Sequence, residues 1–132
     1  MRRILVINPN TSVKTTKHIE RVLNEVKLQD TYFEVVNPER GPSSIESYYD
    51  VSMSVPEVIK IVKEKREEFD SFLLACFADP GLETLKELLD KPVVGIMEAS
   101  IHIACILGCL LYTSDAADEL DGVDLGGRRV IK

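Results

Sequence analysis

Short apolar runs alternate with longer amphipathic segments along the first 108 residues, and this alternation constrains the fold more than any other feature. Strands and helices that alternate in this way are typical of βα units, in which the strands run parallel. Because such crossovers are right-handed, the pattern predicts an α/β fold with a three-layer, four-stranded parallel sheet flanked by helices. The strand order that we expect for this sheet is 2-1-3-4. The predicted strands span about 3–7, 33–37, 71–75 and 92–96.

Helices are expected after each strand. The first is predicted to begin at a cap formed by Thr11 or Ser12 and to end near Lys27. Its apolar residues are spaced i, i+3, i+4, i+7, which predicts one buried face. The members of that face are Ile19, Val22, Leu23 and Val26.

Prolines set the other predicted helix boundaries. Pro56 is expected to begin a helix with Ser54 near its cap, which leaves 45–53 as a separate turn or short helix. Asp79 and Pro80 are expected to be the N-cap and first residue of a helix that continues to about residue 89. The last helix should span about 98–107 and end at Gly108.

The acidic balance restricts the partners. With a net charge of −6 and a pI near 4.9, the chain has no basic stripe for nucleic acid or an anionic membrane. The apolar run at 4–7 is too short for a secretory signal core. Three cysteines without metal-ligand or disulfide spacing fit a reducing cytoplasm, and no metal site is expected. We therefore expect a soluble, cytoplasmic domain with a small-molecule ligand, either monomeric or a homo-oligomer.

Residues 109–132 do not follow this pattern. The segment is rich in glycine and aspartate, and it contains C-L-L-Y-T-S-D-A-A-D-E, which is similar to the translation of sequencing-adapter DNA. We expect one domain over 1–108, with the natural sequence ending near Gly108 and a disordered or adapter-derived tail after it. A genuine C-terminal extension is the alternative.

Cys76 is the strongest candidate for chemistry. An isolated cysteine at a strand end is more often a packing residue than a catalytic one. However, Cys76 follows a predicted central strand and precedes the Asp79–Pro80 helix start by three residues, where free N–H groups and the helix dipole favour a thiolate. Both interpretations are open from these residues alone.

Asn8-Pro9-Asn10-Thr11-Ser12 follows the first strand. As a turn, it supplies the cap of the first helix. Its amide groups and N–H donors also lie at the predicted sheet edge beside Cys76, where they could hold a carbonyl or its enolate. The two interpretations are compatible.

Four motifs then resemble the hydantoin racemases of the aspartate/glutamate racemase superfamily. They are I-N-P-N-T-S at 7–12, V-N-P-E-R-G-P-S-S-I-E-S-Y-Y-D at 36–50, A-C-F-A-D-P-G-L at 75–82 and P-V-V-G-I-M-E-A-S at 92–100. Allantoin racemases look much alike, so the resemblance is specific for the family rather than for the substrate.

The resemblance implies a cofactor-independent racemase built from two pseudo-symmetric α/β domains, of which this chain is the first. In such an enzyme a cysteine from each half faces one side of the acidic carbon of the substrate, and Cys76 matches the first cysteine. Asn10 and the N–H groups around Thr11, with Phe77 and Ala78, match the segments that hold ring carbonyls and the enolate.

The second cysteine of the family has no counterpart, because Cys105 and Cys109 lie in the wrong element. We therefore expect half of a racemase that inverts C5 of 5-substituted hydantoins, inactive as this 132-residue chain. The alternatives are an allantoin racemase and a non-enzymatic α/β module in which Cys76 only packs and the asparagine-rich turn holds an anion.

Overall fold

The computed structural model describes residues 1–108, in which four strands alternate with four helices. All neighbouring strands are parallel, and their order is β2-β1-β3-β4, so the predicted sheet is confirmed. The expectations for 109–132 lie outside the described residues. The elements are β1 (Arg2–Ile7), α1 (Val13–Val26), β2 (Thr31–Val36), α2 (Tyr48–Lys65), β3 (Ser71–Leu74), α3 (Leu82–Leu88), β4 (Val93–Gly95) and α4 (Ile96–Leu107).

The core lies on one face of the sheet. Leu5 and Ile7 of β1 are fully buried there with Val58 and Val62 of α2 and Leu85 of α3. Side chains alternate along a strand, so Val6, also fully buried, points to the opposite face. The connection through α1 runs from β1 to β2, whereas the connections through α2 and α3 run in the opposite direction across the sheet. Right-handed crossovers therefore place α1 on that opposite face.

The predicted buried face of α1 is wrong. None of its residues is buried; Ile19 and Leu23 are half-buried, whereas Val22 is 44% and Val26 68% exposed. The reason is the position of the helix, because its main contacts are with β2, one of the two edge strands of the described sheet. An amphipathic helix over a sheet edge has little to bury its apolar stripe against within the described residues.

The predicted boundary at Pro56 is also wrong, since α2 is one helix from Tyr48 that contains Pro56. A capping box sets its start: Ser47 Oγ accepts the Asp50 N–H at 3.2 Å, and Asp50 Oδ2 accepts the Glu46 N–H at 3.0 Å. The proline removes one helical hydrogen bond, and the burial of Val58 in the core offsets that loss.

The helix predicted to begin at Asp79 and Pro80 begins instead at Leu82, and its N-cap is Gly81. Gly81 has φ +79°, a left-handed conformation that interrupts the helical run, so Asp79 and Pro80 belong to the preceding turn. α3 ends at Leu88, close to the expected end.

Residues 1–97 form one compact unit that contains the whole sheet, and α4 continues from it into a second unit. The α4 helix starts two residues before its predicted start and is followed by Gly108, as expected. No helix among residues 1–108 is both long and apolar enough to span a membrane.

Candidate active site

The candidate site is an edge of the sheet, where β1 and β3 end side by side. Ile7 of β1 is in register with Leu74 of β3, and the Ala75 N–H donates to the Ile7 carbonyl at 2.8 Å. The loop 8–12 and the loop 76–81 therefore leave the sheet next to each other. In open α/β sheets this carboxyl edge is where ligands bind.

Asn8 organises the first loop. Its side chain is only 1% exposed, and its Nδ2 lies 2.9 Å from Asn10 Oδ1, 3.1 Å from Thr16 Oγ1 and 3.3 Å from the Ser12 carbonyl. Buried amides need such partners, because an unpaired one costs free energy. The turn between β1 and α1 is therefore fixed from its buried side.

The same network reaches β2 and the loop after it. The Asn8 N–H donates to the Val36 carbonyl at 2.8 Å, and Thr16 Oγ1 lies 2.6 Å from Asn37 Oδ1. The Thr11 N–H donates to the Pro42 carbonyl at 3.0 Å. The ends of β1 and β2 and the start of α1 are thus joined in one cluster.

The side chain of Asn10 is held through its amide oxygen. Asn10 Oδ1 accepts from Asn8 Nδ2 and, at 2.9 Å, from the Ser12 N–H, which fixes the orientation of the amide. Its Nδ2 donates to no other residue of 1–108. The Thr11 backbone N–H is already used by Pro42, so the donor that this loop can offer a ligand is the Asn10 amide, with the Thr11 hydroxyl beside it.

The second loop contains Cys76, Phe77 and Ala78. The thiol residue is half-buried, and the Phe77 side chain is 60% exposed. Among the described residues, no carbonyl accepts from the N–H groups of Phe77 and Ala78. These two donors follow the thiol directly, so they could stabilise negative charge on an oxygen bound beside it.

The sequence argument that a helix start lies three residues from Cys76 does not hold, because α3 begins at Leu82. What lies there is a turn, in which the Asp79 N–H donates to the Cys76 carbonyl at 2.9 Å. No group of three or more possible metal ligands occurs within residues 1–108.

Two residues of the edge were missed as site residues. Asn8 looked like an ordinary turn residue, although an asparagine directly after a buried strand could have signalled the network. Asp79 was assigned to a helix cap, but it is 7% exposed. Its Oδ1 accepts the Met97 N–H at 3.2 Å, which connects the loop after β3 to the start of α4.

Residues 4–109 match the family described as Asp/Glu/Hydantoin racemase. This chain belongs to that family. Its predicted site residues all lie on the two loops described above: Cys76, Phe77 and Ala78 on one, Asn10 and Thr11 on the other.

Curated racemases are similar to the chain. It is 48% identical over 106 residues to a hydantoin racemase of Pseudomonas sp. (strain NS671), covering 80% of this chain and 43% of that one. It is 41% identical over 104 residues to the hydantoin racemase of Paenarthrobacter aurescens, covering 77% and 44%. This family member therefore spans less than half the length of these two racemases.

Solved structures of the family agree with the fold. The chain superimposes on an allantoin racemase from Klebsiella pneumoniae with a TM-score of 0.77 at 37% identity, covering 80% of this chain and 44% of that one. An allantoin racemase from Pseudomonas fluorescens gives 0.74 at 32% identity, covering 79% and 44%.

Proposed function

We propose that residues 1–108 form one half of a cofactor-independent racemase acting on amino-acid derivatives, which inverts C5 of 5-substituted hydantoins. The observation that carries the proposal is the placement of Cys76 at the carboxyl edge of the sheet, followed directly by the open N–H groups of Phe77 and Ala78. The Asn10 amide belongs to the neighbouring loop of the same edge.

The chemistry needs a base and an oxyanion stabiliser. The C5–H of a hydantoin lies between a ring carbonyl and a ring nitrogen and is only modestly acidic. The Cys76 thiolate would take this proton and become a thiol, while the C–H electron pair moves into the ring as an enolate. Hydrogen bonds from Phe77, Ala78 and Asn10 would stabilise the charge on the enolate oxygen.

Inversion needs a second acid on the opposite face. In this proposal the acid is a second cysteine, contributed by a half that corresponds to the unmatched part of the relatives, whose matched share is 43–44%. Cys105 lies on α4, and Cys109 lies outside the described residues; the proposal assigns the second face to neither of them. We therefore propose that the 132-residue chain exchanges a proton on one face and does not racemise.

Allantoin is the second candidate substrate, because two structural relatives of the chain are allantoin racemases. Allantoin carries the same hydantoin ring with a ureido group at C5. The same base and donors would therefore act on either molecule, and the choice depends on the C5 substituent.

The test is solvent deuterium exchange at C5 of each enantiomer of a slowly racemising 5-alkyl hydantoin, followed by proton NMR and chiral chromatography. We expect one enantiomer to exchange with retention of configuration, because Cys76 reaches only one face. Cys76→Ala should reduce the exchange to the buffer rate, whereas Cys105→Ala, a matched loss of a cysteine on α4, should leave it unchanged.

Exchange that persists in Cys76→Ala, or a folded chain that exchanges neither enantiomer above buffer, would contradict the proposal. Each enantiomer of allantoin is assayed in parallel. Faster exchange of allantoin than of the alkyl hydantoin would assign the chain to the second substrate.

A further inference from the structure

Asp79 has an unusual backbone for a buried, charged residue. Its φ is +45°, the only positive value at a non-glycine residue in the described chain, and its exposure is 7%. Aspartate tolerates the left-handed region better than most residues, but such a conformation still costs free energy and persists only where its surroundings enforce it. The contacts of Asp79 show what enforces it.

The side chain crosses to the end of β4. Asp79 Oδ1 accepts the Met97 N–H at 3.2 Å, and the carboxylate packs directly over Gly95. A Cβ at Gly95 would overlap the Asp79 carboxylate, so this glycine provides the space in which the carboxylate lies. A charge-assisted hydrogen bond from a backbone N–H is among the stronger ones.

The backbone of Asp79 connects the other way. Its N–H donates to the Cys76 carbonyl at 2.9 Å, and its carbonyl accepts the Leu82 N–H at 3.1 Å. Asp79 thus links the thiol loop at one end to the junction of β4 and α4 at the other. The Phe77 and Ala78 N–H groups lie within the turn that this link closes.

We propose that Asp79 is a positioning residue, which fixes the Cys76–Asp79 turn by holding it to Met97, and that Gly95 is the residue whose lack of a side chain permits this. The part of Asp79 in catalysis rests on the proposed function. The bond between Asp79 and Met97 determines how firmly the loop holds Cys76, and its effect on Cys76 can be measured without turnover.

The experiment measures the rate at which iodoacetamide alkylates Cys76, by peptide mass spectrometry on the folded 132-residue chain. Asp79→Gly still permits the left-handed backbone and removes the side chain with its carboxylate. We expect this release to raise the Cys76 rate about threefold or more, because local opening exposes the half-buried thiol. Asp79→Asn keeps an oxygen for the Met97 N–H but loses the charge that strengthens the bond, so its rate should lie between those of the parent and Asp79→Gly.

Two further measurements separate positioning from general stability. Val62→Ala removes core packing on α2 about two helical turns beyond Val55, the residue beside Gly81, so it should lower the melting temperature without changing the Cys76 rate under native conditions. Amide hydrogen exchange at positions 79 and 97 should accelerate most in Asp79→Gly and less in Asp79→Asn. Gly95→Ala places a Cβ where the Asp79 carboxylate lies, so it should also raise the Cys76 rate. It replaces Asp79→Gly as the test if that variant fails to fold.

The assignment is overturned if Asp79→Gly lowers the melting temperature yet leaves the Cys76 rate unchanged, or if Asp79→Asn is as disruptive as Asp79→Gly. If the Cys76 alkylation rate responds as expected but the chain catalyses no deuterium exchange at C5 of the hydantoin, the positioning role is retained and the proposed function is rejected.

Discussion

The two loops of the sheet edge are held in place by different means. The loop after β1 is fixed by side chains, with the buried Asn8 amide bonded to Asn10, Ser12 and Thr16. The loop after β3 instead has left-handed φ angles at Asp79 and Gly81, and the Asp79 carboxylate ties it to the Met97 N–H outside the loop. Its N–H groups at Phe77 and Ala78 remain open among the described residues, whereas those of Thr11 and Ser12 are used.

This difference separates support from ligand contact. A loop whose polar groups satisfy one another is rigid and has few donors to offer. A loop with left-handed residues, tied down by a side chain that bonds outside it, leaves its N–H groups for something else, at the cost of strained residues. The comparison predicts that substitution of the supporting Asn8 in the first loop mainly changes stability, and that the second loop tolerates loss of an exposed side chain but not a change in its backbone.

The largest expected effect is that of Asn8→Ala. It removes the centre of the first network and leaves the groups around it unpaired in a buried place, so the free energy of unfolding should fall by about 2–4 kcal/mol. Urea unfolding followed by circular dichroism measures it. Asn24→Ala, an exposed asparagine on α1, is the matched control and should change little. Equal effects of the two would remove the distinction between the loops.

Gly81→Ala tests the backbone of the second loop. A side chain at φ +79° is strained, and its Cβ would lie 3.2 Å from Val55 Cγ1. We expect a loss of about 1–2 kcal/mol in the free energy of unfolding. The double variant with Val55→Ala removes the steric contact but keeps the φ strain, so it should recover only part of the loss relative to Val55→Ala alone. Full recovery would show that packing, not backbone conformation, holds this loop.

The capping box of α2 shows what side-chain fixation contributes in an exposed place. The Glu46 N–H and then the Ser47 hydroxyl, both donating to the carboxylate, lower the pKa of Asp50 below its ordinary value of 3.8. A folded-state pKa below the unfolded one gives stability that is present above pH 3.8 and is lost as the pH falls through the folded pKa.

We therefore expect Asp50→Asn to flatten the acid side of the stability profile, with a small effect because the site is exposed. Urea midpoints at about pH 6 and about pH 2.5 for the parent and the variant measure it. If the urea midpoint differs between the two pH values by the same amount in the parent and in the variant, the capping box contributes nothing to acid sensitivity.

Phe77→Ala should have the smallest effect on stability. The side chain is 60% exposed, so the free energy of unfolding should change by no more than about 0.5 kcal/mol. In the deuterium-exchange assay the Phe77 N–H is retained, and any loss of exchange would then report a contact of the ring with the substrate. A large loss of stability instead would mean that the ring belongs to the fold.

The positions of the strands and the placement of Cys76 and Asn10 at one edge could be predicted, because buried strands form short apolar runs and parallel strands end at one edge. The path of the chain between them could not. Asp-Pro is an ordinary helix start, and only the left-handed Gly81 shows that α3 begins later. The exposure of Val26 depends on α1 lying over the edge strand, which its own spacing does not reveal.

The contacts that join the first loop to β2 also have a consequence for the order of folding. The bond between Thr16 and Asn37 spans 21 residues, whereas pairing of β1 with the segment around β3 links residues 67 apart, as between Arg3 and Asp70. Closing a longer loop costs more entropy, so the contacts of shorter span are favoured early. We expect the Asn10 turn to be structured with the first βαβ unit, and the Cys76 loop to reach its place beside it only after β3 has joined the sheet.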